Sequence, residues 1–336
     1  MLFDDGKHML NSQAKLSKKL FKDDIEQVAP RDGYGKALVE LGDKNPNVVV
    51  LTGDLSESTR SNWFAEKFPK RFIEVGVAEQ NMMGIAAGLA LSGKIPFISS
   101  YATFNPGRNW DQLRVSVCYS MANVKVAGAH AGISVGPDGA THQALEDVAM
   151  VRALPNLYVV IPCDAIEARK ATLAIAEEIK NPAYIRFGRE KTPQFTTDQT
   201  PFKLGRAEVF REGSDVAIIG SGILVYNALQ AAVELVKEGI DCMVVNNHTI
   251  KPIDRKTLAD AARKCGAVVT VEEHQINGGA GSAVIEVLAE ECPVPVVRVG
   301  MNDSFGESGQ PFELIEKYGM GTDSIIKAVK KVLKKK

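Results

Sequence analysis

The sequence predicts an α/β protein of two doubly wound domains, and three observations carry that prediction. From Asn47 to about Arg189, short apolar runs alternate with stretches of helical periodicity. Residues 191–201 break the pattern: they are polar, hold Pro193 and Pro201, and show no period. From Asp215 a second, shorter alternation begins. Such alternation reads as a largely parallel sheet with helices on both faces. The expected divisions are an N-terminal extension (1–29), a first domain (30–190), a linker (191–203) and a smaller second domain (204–336).

The elements follow in order. Tyr34–Leu41 has helical spacing and leads into a strand at Val48–Leu51. Phe72–Val75 is an apolar strand that runs into Gly76, and Glu79–Leu91 is a Gly/Ala-rich helix opened by an acid. Strands at Ile95–Ser99, Val124–Ala129, Tyr158–Ile161 and Ala183–Phe187 alternate with helices at Trp110–Ser120, Ala144–Ala153 and Ala165–Ile179. Pro155-Asn156 and Pro162 punctuate the turns. In the second domain, strands at Asp215–Ile219, Asp241–Asn246, Ala267–Glu272 and Val294–Val299 alternate with helices. Those helices are Leu224–Lys237, Asp254–Cys265, Ala280–Glu290 and Thr322–Leu333. The Lys-rich tail is the end of an amphipathic helix, with cations at the favourable end of the dipole. Residues 1–29 are polar and are expected to stay partly unstructured or to pack on a partner.

Composition excludes several classes. The net charge is −1, which gives no electrostatic footprint for nucleic acid. No stretch approaches the ~18 apolar residues of a membrane span. Cys118, Cys163, Cys242, Cys265 and Cys292 are scattered, with no Cys-x-x-Cys pair. That argues for free, buried thiols in a reducing, cytoplasmic setting, and against a disulfide framework or a zinc site. Gly220-Ser221-Gly222 lacks the third glycine of a dinucleotide fingerprint and reads as a tight strand-to-helix turn.

Three segments carry chemistry. Glu79 sits where a strand and Gly76 give way to a helix, so its carboxylate meets the free N–H groups of the helix start. The small residues behind it favour burial, and no Lys or Arg lies near it in sequence. Burial of an unpaired acid raises its proton affinity, which suits exchange of a proton with a bound cofactor. The loop His130-Ala131-Gly132-Ile133-Ser134-Val135-Gly136-Pro137-Asp138-Gly139-Ala140-Thr141-His142-Gln143 follows a buried strand, the usual place for ligand groups in an open α/β sheet. It holds two of the chain's five His. The third segment, Ser100 to Arg114, follows the strand at Ile95–Ser99 and supplies Tyr101 and Phe104.

Together these segments resemble the thiamine-diphosphate enzymes of the transketolase family, over about residues 30 to 330. The first domain is similar to the pyrimidine-binding domain and the second to the C-terminal domain, which binds no cofactor in that family. The resemblance implies that Glu79 contacts the aminopyrimidine N1′ and, with His142, is catalytic. It implies that Phe104, or alternatively Tyr101, stacks on that ring, and that Asp54 ties cofactor or subunits together. Arg31, Ser58, His130, Asp138, His142 and Arg189 match substrate-binding positions for a sugar phosphate. The chain departs from the commoner pattern in having Asn105-Pro106-Gly107 between Phe104 and Arg108.

The family holds the cofactor's diphosphate and Mg²⁺ with a Gly-Asp-Gly motif and a downstream Asn on another domain. Gly53-Asp54-Leu55 lacks the third glycine, and Asn81 falls inside the pyrimidine-site segment. No metal ligand is therefore assigned here. The resemblance implies a partner N-terminal subunit carrying Gly-Asp-Gly, an active site between the two kinds of chain, and an α2β2 heterotetramer. The implied reaction moves a two-carbon ketol unit from xylulose 5-phosphate to ribose 5-phosphate or erythrose 4-phosphate. The β subunit of a 2-oxoacid dehydrogenase first component has the same layout, and a deoxyxylulose-phosphate synthase is a further alternative. A catalytically silent subunit is the reading from another class, and the presence of Glu79, His130, Asp138 and His142 argues against it.

Overall fold

The structure is a computed structural model and describes residues 10–336. Its strands are β1 Gln27–Val28, β2 Val48–Thr52, β3 Phe72–Glu74, β4 Ile95–Tyr101, β5 Lys125–Ala129, β6 Tyr158–Val160 and β7 Ala183–Arg186. They continue with β8 Thr192–Pro193, β9 Glu208–Arg211, β10 Val216–Gly220, β11 Cys242–Asn246, β12 Thr249–Lys251, β13 Val268–Gln275 and β14 Val296–Met301. The helices are α1 Pro30–Lys44, α2 Ser56–Thr59, α3 Asn62–Lys67, α4 Glu79–Leu91, α5 Trp110–Gln112, α6 Asp147–Arg152 and α7 Ala165–Glu177. In the second domain they are α8 Val225–Val236, α9 Arg255–Cys265, α10 Ala280–Glu291, α11 Pro311–Lys317 and α12 Thr322–Leu333.

Two α/β domains result, as the alternation predicts. The first holds a seven-stranded sheet in the order β12-β6-β7-β5-β4-β2-β3, parallel except for β12. The second holds a five-stranded sheet, β14-β13-β10-β11-β9, parallel except for β9. The central strands β2, β5, β10 and β11 are buried on both faces, which is why they read as continuous apolar runs. β12 follows β11 by two residues yet pairs with β6, so the first sheet takes its edge strand from the second half of the chain.

The helix at α1 is longer than its apolar spacing suggests. Pro30 occupies the first turn, and the helix packs on α7 at a glycine. A Cβ on Gly33 would stand 1.9 Å from the Ala165 carbonyl oxygen, so the close approach needs glycine there. α6 begins three residues later than the expected Ala144. The Ala144 carbonyl accepts from Gly132 N and from Arg186 Nη2, and Ala131 bridges Ala144, which holds that residue extended. The expected helix Trp110–Ser120 is α-helical only to Gln112 and widens to a π-helix over Leu113–Tyr119.

The expectation for the N-terminal extension is overturned from residue 10 onward; residues 1–9 lie outside the described part. Leu10 bridges Arg211, and Ala14, Leu20 and Ile25 join the second domain's core beside Phe195 and Phe210. β1 pairs antiparallel with β8, which lies in the polar linker. The thiols of Cys118, Cys163, Cys242 and Cys265 are free and buried, but Cys292 is half-buried because it stands at the exposed end of α10.

Candidate active site

Five elements deliver their chemistry to one end of the first sheet. Asp54 follows β2, Glu79 opens the helix after β3, Tyr101 ends β4, His130 follows β5, and Arg189 follows β7. These are the carboxyl ends of parallel strands, where backbone N–H groups and loop side chains converge.

Six of the residues expected from sequence form a connected run. Arg31 donates from Nη1 to the Ser58 carbonyl at 3.0 Å and lies 3.3 Å from His130 Nε2. His130 Nε2 is also 3.1 Å from the Ser58 carbonyl. The Tyr101 hydroxyl donates to Ser58 Oγ at 3.2 Å, and the Tyr101 ring lies 4.1 Å from the His130 ring. Tyr101 and Phe104 run nearly parallel at 6.0 Å, and His142 stands edge-on to both. Of the other four, Glu79 is reached only through Arg108, and Asp54, Asp138 and Arg189 fall outside that run. Asp138 pairs with Arg189 at 3.1 Å. Asp54 is exposed at φ 60°, with its N–H donating to Glu74 Oε1.

His130 is 1% exposed, and burial followed by the charges of Arg31 and Arg189 pushes its pKa down to about 3. It is a neutral imidazole across the physiological range. Its Nδ1 is buried with no hydrogen-bond partner. A buried imidazole nitrogen left open beside two guanidinium groups suits a ligand that brings both an anion and a hydroxyl.

Glu79 is 4% exposed, as its position predicts. The expectation that it lacks a cationic neighbour is overturned. Arg108 Nη1 donates to Glu79 Oε1 at 3.0 Å, and its guanidinium carbon lies 4.0 Å over the Phe104 ring. Asn109 Nδ2 donates to the Glu79 carbonyl and to Asn105 Oδ1, which locks the turn against the start of α4. The turn itself is helical: Asn105 N donates to the Tyr101 carbonyl and Arg108 N to the Phe104 carbonyl. Phe104 and Arg108 therefore share a face, four residues apart. That spacing is present in the sequence, but Asn105-Pro106-Gly107 reads as a loop and conceals it. Arg60 is a second guanidinium that the motifs missed; it pairs with Asp32 at 2.7 Å and lowers the proton affinity of His130.

The loop over residues 130–143 leans on the second domain. Gln143 Nε2 donates to the Ile133 carbonyl and, across the domains, to the Glu307 carbonyl at 2.9 Å. Ser308 Oγ donates to the Pro137 carbonyl at 2.7 Å. Behind the loop, fully buried Arg186 pairs with Asp147 at 2.9 Å and donates to the Glu273 carbonyl. Among the described residues no cluster of three or more His, Cys, Asp or Glu could hold a metal ion, and no helix is long and apolar enough to cross a membrane.

Residues 26–194 match the family described as the transketolase pyrimidine-binding domain, and residues 205–325 match the transketolase C-terminal domain. A putative transketolase C-terminal section from Methanocaldococcus jannaschii is 44% identical over 308 residues, covering 91% of this chain and 96% of that one. A 6-deoxy-6-sulfo-D-fructose transketolase subunit from Clostridium sp. strain MSTE9 is 42% identical over 316 residues, covering 94% and 98%. Among solved structures, a split-gene transketolase described as an inactive beta4 tetramer superposes with a TM-score of 0.86. It is 51% identical and covers 91% of this chain and 99% of its own.

Proposed function

This chain belongs to the transketolase family, and we propose that it is the pyrimidine-side subunit of a two-chain, thiamine-diphosphate-dependent transketolase. The observation that carries the reading is the pair of neighbouring clusters at the sheet end. One joins Arg31, Ser58, His130 and Tyr101; the other joins Phe104, Arg108 and Glu79, and Tyr101–Phe104 links them.

The residues fit an aminopyrimidine. A planar group rich in N–H donors, the Arg108 guanidinium, already lies over Phe104 with a hydrogen bond to Glu79. When bound, thiamine diphosphate supplies the nucleophilic carbon that accepts the ketol unit. Glu79 holds a proton at the ring nitrogen, and Phe104 is preferred to Tyr101 as the stacking ring because it faces the Glu79 side. Arg31, Arg189 and Ser58 bind the anionic end of the sugar, where bidentate guanidinium contacts suit a phosphate. Neutral His130 meets a substrate hydroxyl without competing for its charge. His142 and Asp138 hold and move a proton at the reacting hydroxyl. Asp54 contacts the cofactor or the neighbouring subunit. Mg²⁺ and the diphosphate are assigned to a partner subunit with a Gly-Asp-Gly site, in an α2β2 assembly working in the cytoplasm.

Xylulose 5-phosphate as donor, with ribose 5-phosphate or erythrose 4-phosphate as acceptor, is the substrate set proposed. The relative from Clostridium is named for a sulfonated sugar, and a sulfonate offers the same guanidiniums three similar oxygens. The test mixes the chain with its Gly-Asp-Gly partner, thiamine diphosphate and Mg²⁺, and measures ketol transfer from xylulose 5-phosphate and from 6-deoxy-6-sulfofructose. Transfer only in the mixture, lost in Glu79→Ala, is expected. Transfer by the chain alone, or full activity in Glu79→Ala, would refute the proposal.

A further inference from the structure

We propose that Arg108 is a placeholder for the cofactor's aminopyrimidine: it covers Glu79 and Phe104 in the cofactor-free chain and leaves both when the ring enters. The inference rests on the roles of Glu79 and Phe104 proposed above.

Both contacts of Arg108 are those that a planar, protonated heterocycle would make. One N–H reaches Glu79 Oε1 at 3.0 Å, and the flat guanidinium lies 4.0 Å over Phe104. A ring that took either contact would displace the guanidinium from it. The two sides of the ion pair differ in freedom. Glu79 is 4% exposed and sits on a helix start that Asn109 pins through its carbonyl. The Arg108 side chain is 49% exposed and can rotate into solvent. The backbone beneath it is held by hydrogen bonds from Asn105 N to the Tyr101 carbonyl and from Arg108 N to the Phe104 carbonyl. Opening is therefore a side-chain movement, with the turn left in place.

The arrangement solves a problem of burial. A carboxylate held out of water without a cation is strongly disfavoured. Arg108 compensates Glu79 until the ring nitrogen takes over that duty. Ion pairing and cation–π contact at a half-exposed side chain are each weak, so together they compete with the cofactor by roughly five- to tenfold and do not bar it.

The experiment measures thiamine diphosphate binding to the complex of this chain with its partner, in Mg²⁺, by calorimetry and by stopped-flow tryptophan fluorescence. Arg108→Ala is expected to bind the cofactor about five- to tenfold more tightly and to associate faster. Arg108→Lys keeps the charge but not the flat stacking, and falls between. Raising NaCl narrows the gap between wild type and Arg108→Ala, because the competing ion pair is screened. Weaker or unchanged binding in a folded Arg108→Ala complex overturns the placeholder. If the wild-type complex binds no thiamine diphosphate, or Glu79→Ala binds it as well as wild type does, the assignment of the aminopyrimidine site itself fails.

Discussion

Replacing Glu167 by glutamine should remove a pH dependence of stability seated between the two domains. Glu167 is fully buried in the first turn of α7, with Oε1 accepting from Asn246 Nδ2 at 2.7 Å and Oε2 from Cys163 N at 2.7 Å. Burial, and then the neighbouring Asp164 charge, push its pKa from 4.5 up to about 7. A raised carboxyl pKa means that the native state binds the proton more tightly than the unfolded chain. The contribution is fully present below the unfolded pKa and is lost as pH rises to about 7. At 1.36 kcal/mol per unit, about 2–3 kcal/mol of stability disappears between pH 5 and pH 8 through this group. The protonated form has a ready acceptor, because Asn246 Oδ1 is buried and unpartnered and the Asn246 amide can turn over. Glutamine reproduces that neutral arrangement at every pH. Urea unfolding of both proteins at pH 5 and pH 8 is the assay. His130 and His248, both depressed to about 3, favour higher pH in each protein alike and cancel in the difference. Glu167→Gln is expected to match wild type near pH 5 and to exceed it by about 2–3 kcal/mol at pH 8. Parallel stability profiles for the two proteins would refute the reasoning.

Two other perturbations test the support of the loop over residues 130–143. Arg186→Met leaves Asp147 buried without its cation and removes the hydrogen bonds to the Ala144 and Glu273 carbonyls, so urea unfolding should show a loss of about 3–5 kcal/mol. Gly136 has φ 75° and ψ −112°, and a Cβ there would meet Pro311 Cγ at 2.8 Å. Gly136→Ala should cost about 1–3 kcal/mol and, because the same loop carries Asp138 and His142, raise KM for the proposed sugar-phosphate substrate while circular dichroism stays unchanged.

Much of this protein was legible from local pattern. Strand–helix alternation predicts two α/β domains because burial on both faces of a parallel strand demands an apolar run, and that demand is satisfied residue by residue. The helix at Glu79–Leu91 begins and ends where the sequence indicates, since its start signal and its small-residue run are contiguous. The motifs around Glu79, Phe104, His130 and His142 each lie within one short stretch of sequence and could be read without a structure.

What the sequence could not show are the pairings between distant segments. Arg108 reaches Glu79 across 29 positions, and Gln143 reaches Glu307 across 164. Val160 pairs with Thr249, and Val28 with Thr192, although neither β12 nor β8 has a strand pattern of its own. Residues 144–146 stay out of a helix because Arg186 and Gly132 claim the Ala144 carbonyl. Sequence by itself determined the layers and pointed to the motifs proposed to carry the chemistry, because hydrophobic period and loop composition are local quantities. Tertiary structure alone decided which charges meet, because pairs such as Arg108–Glu79 and Arg186–Asp147 join positions that only the fold brings within reach.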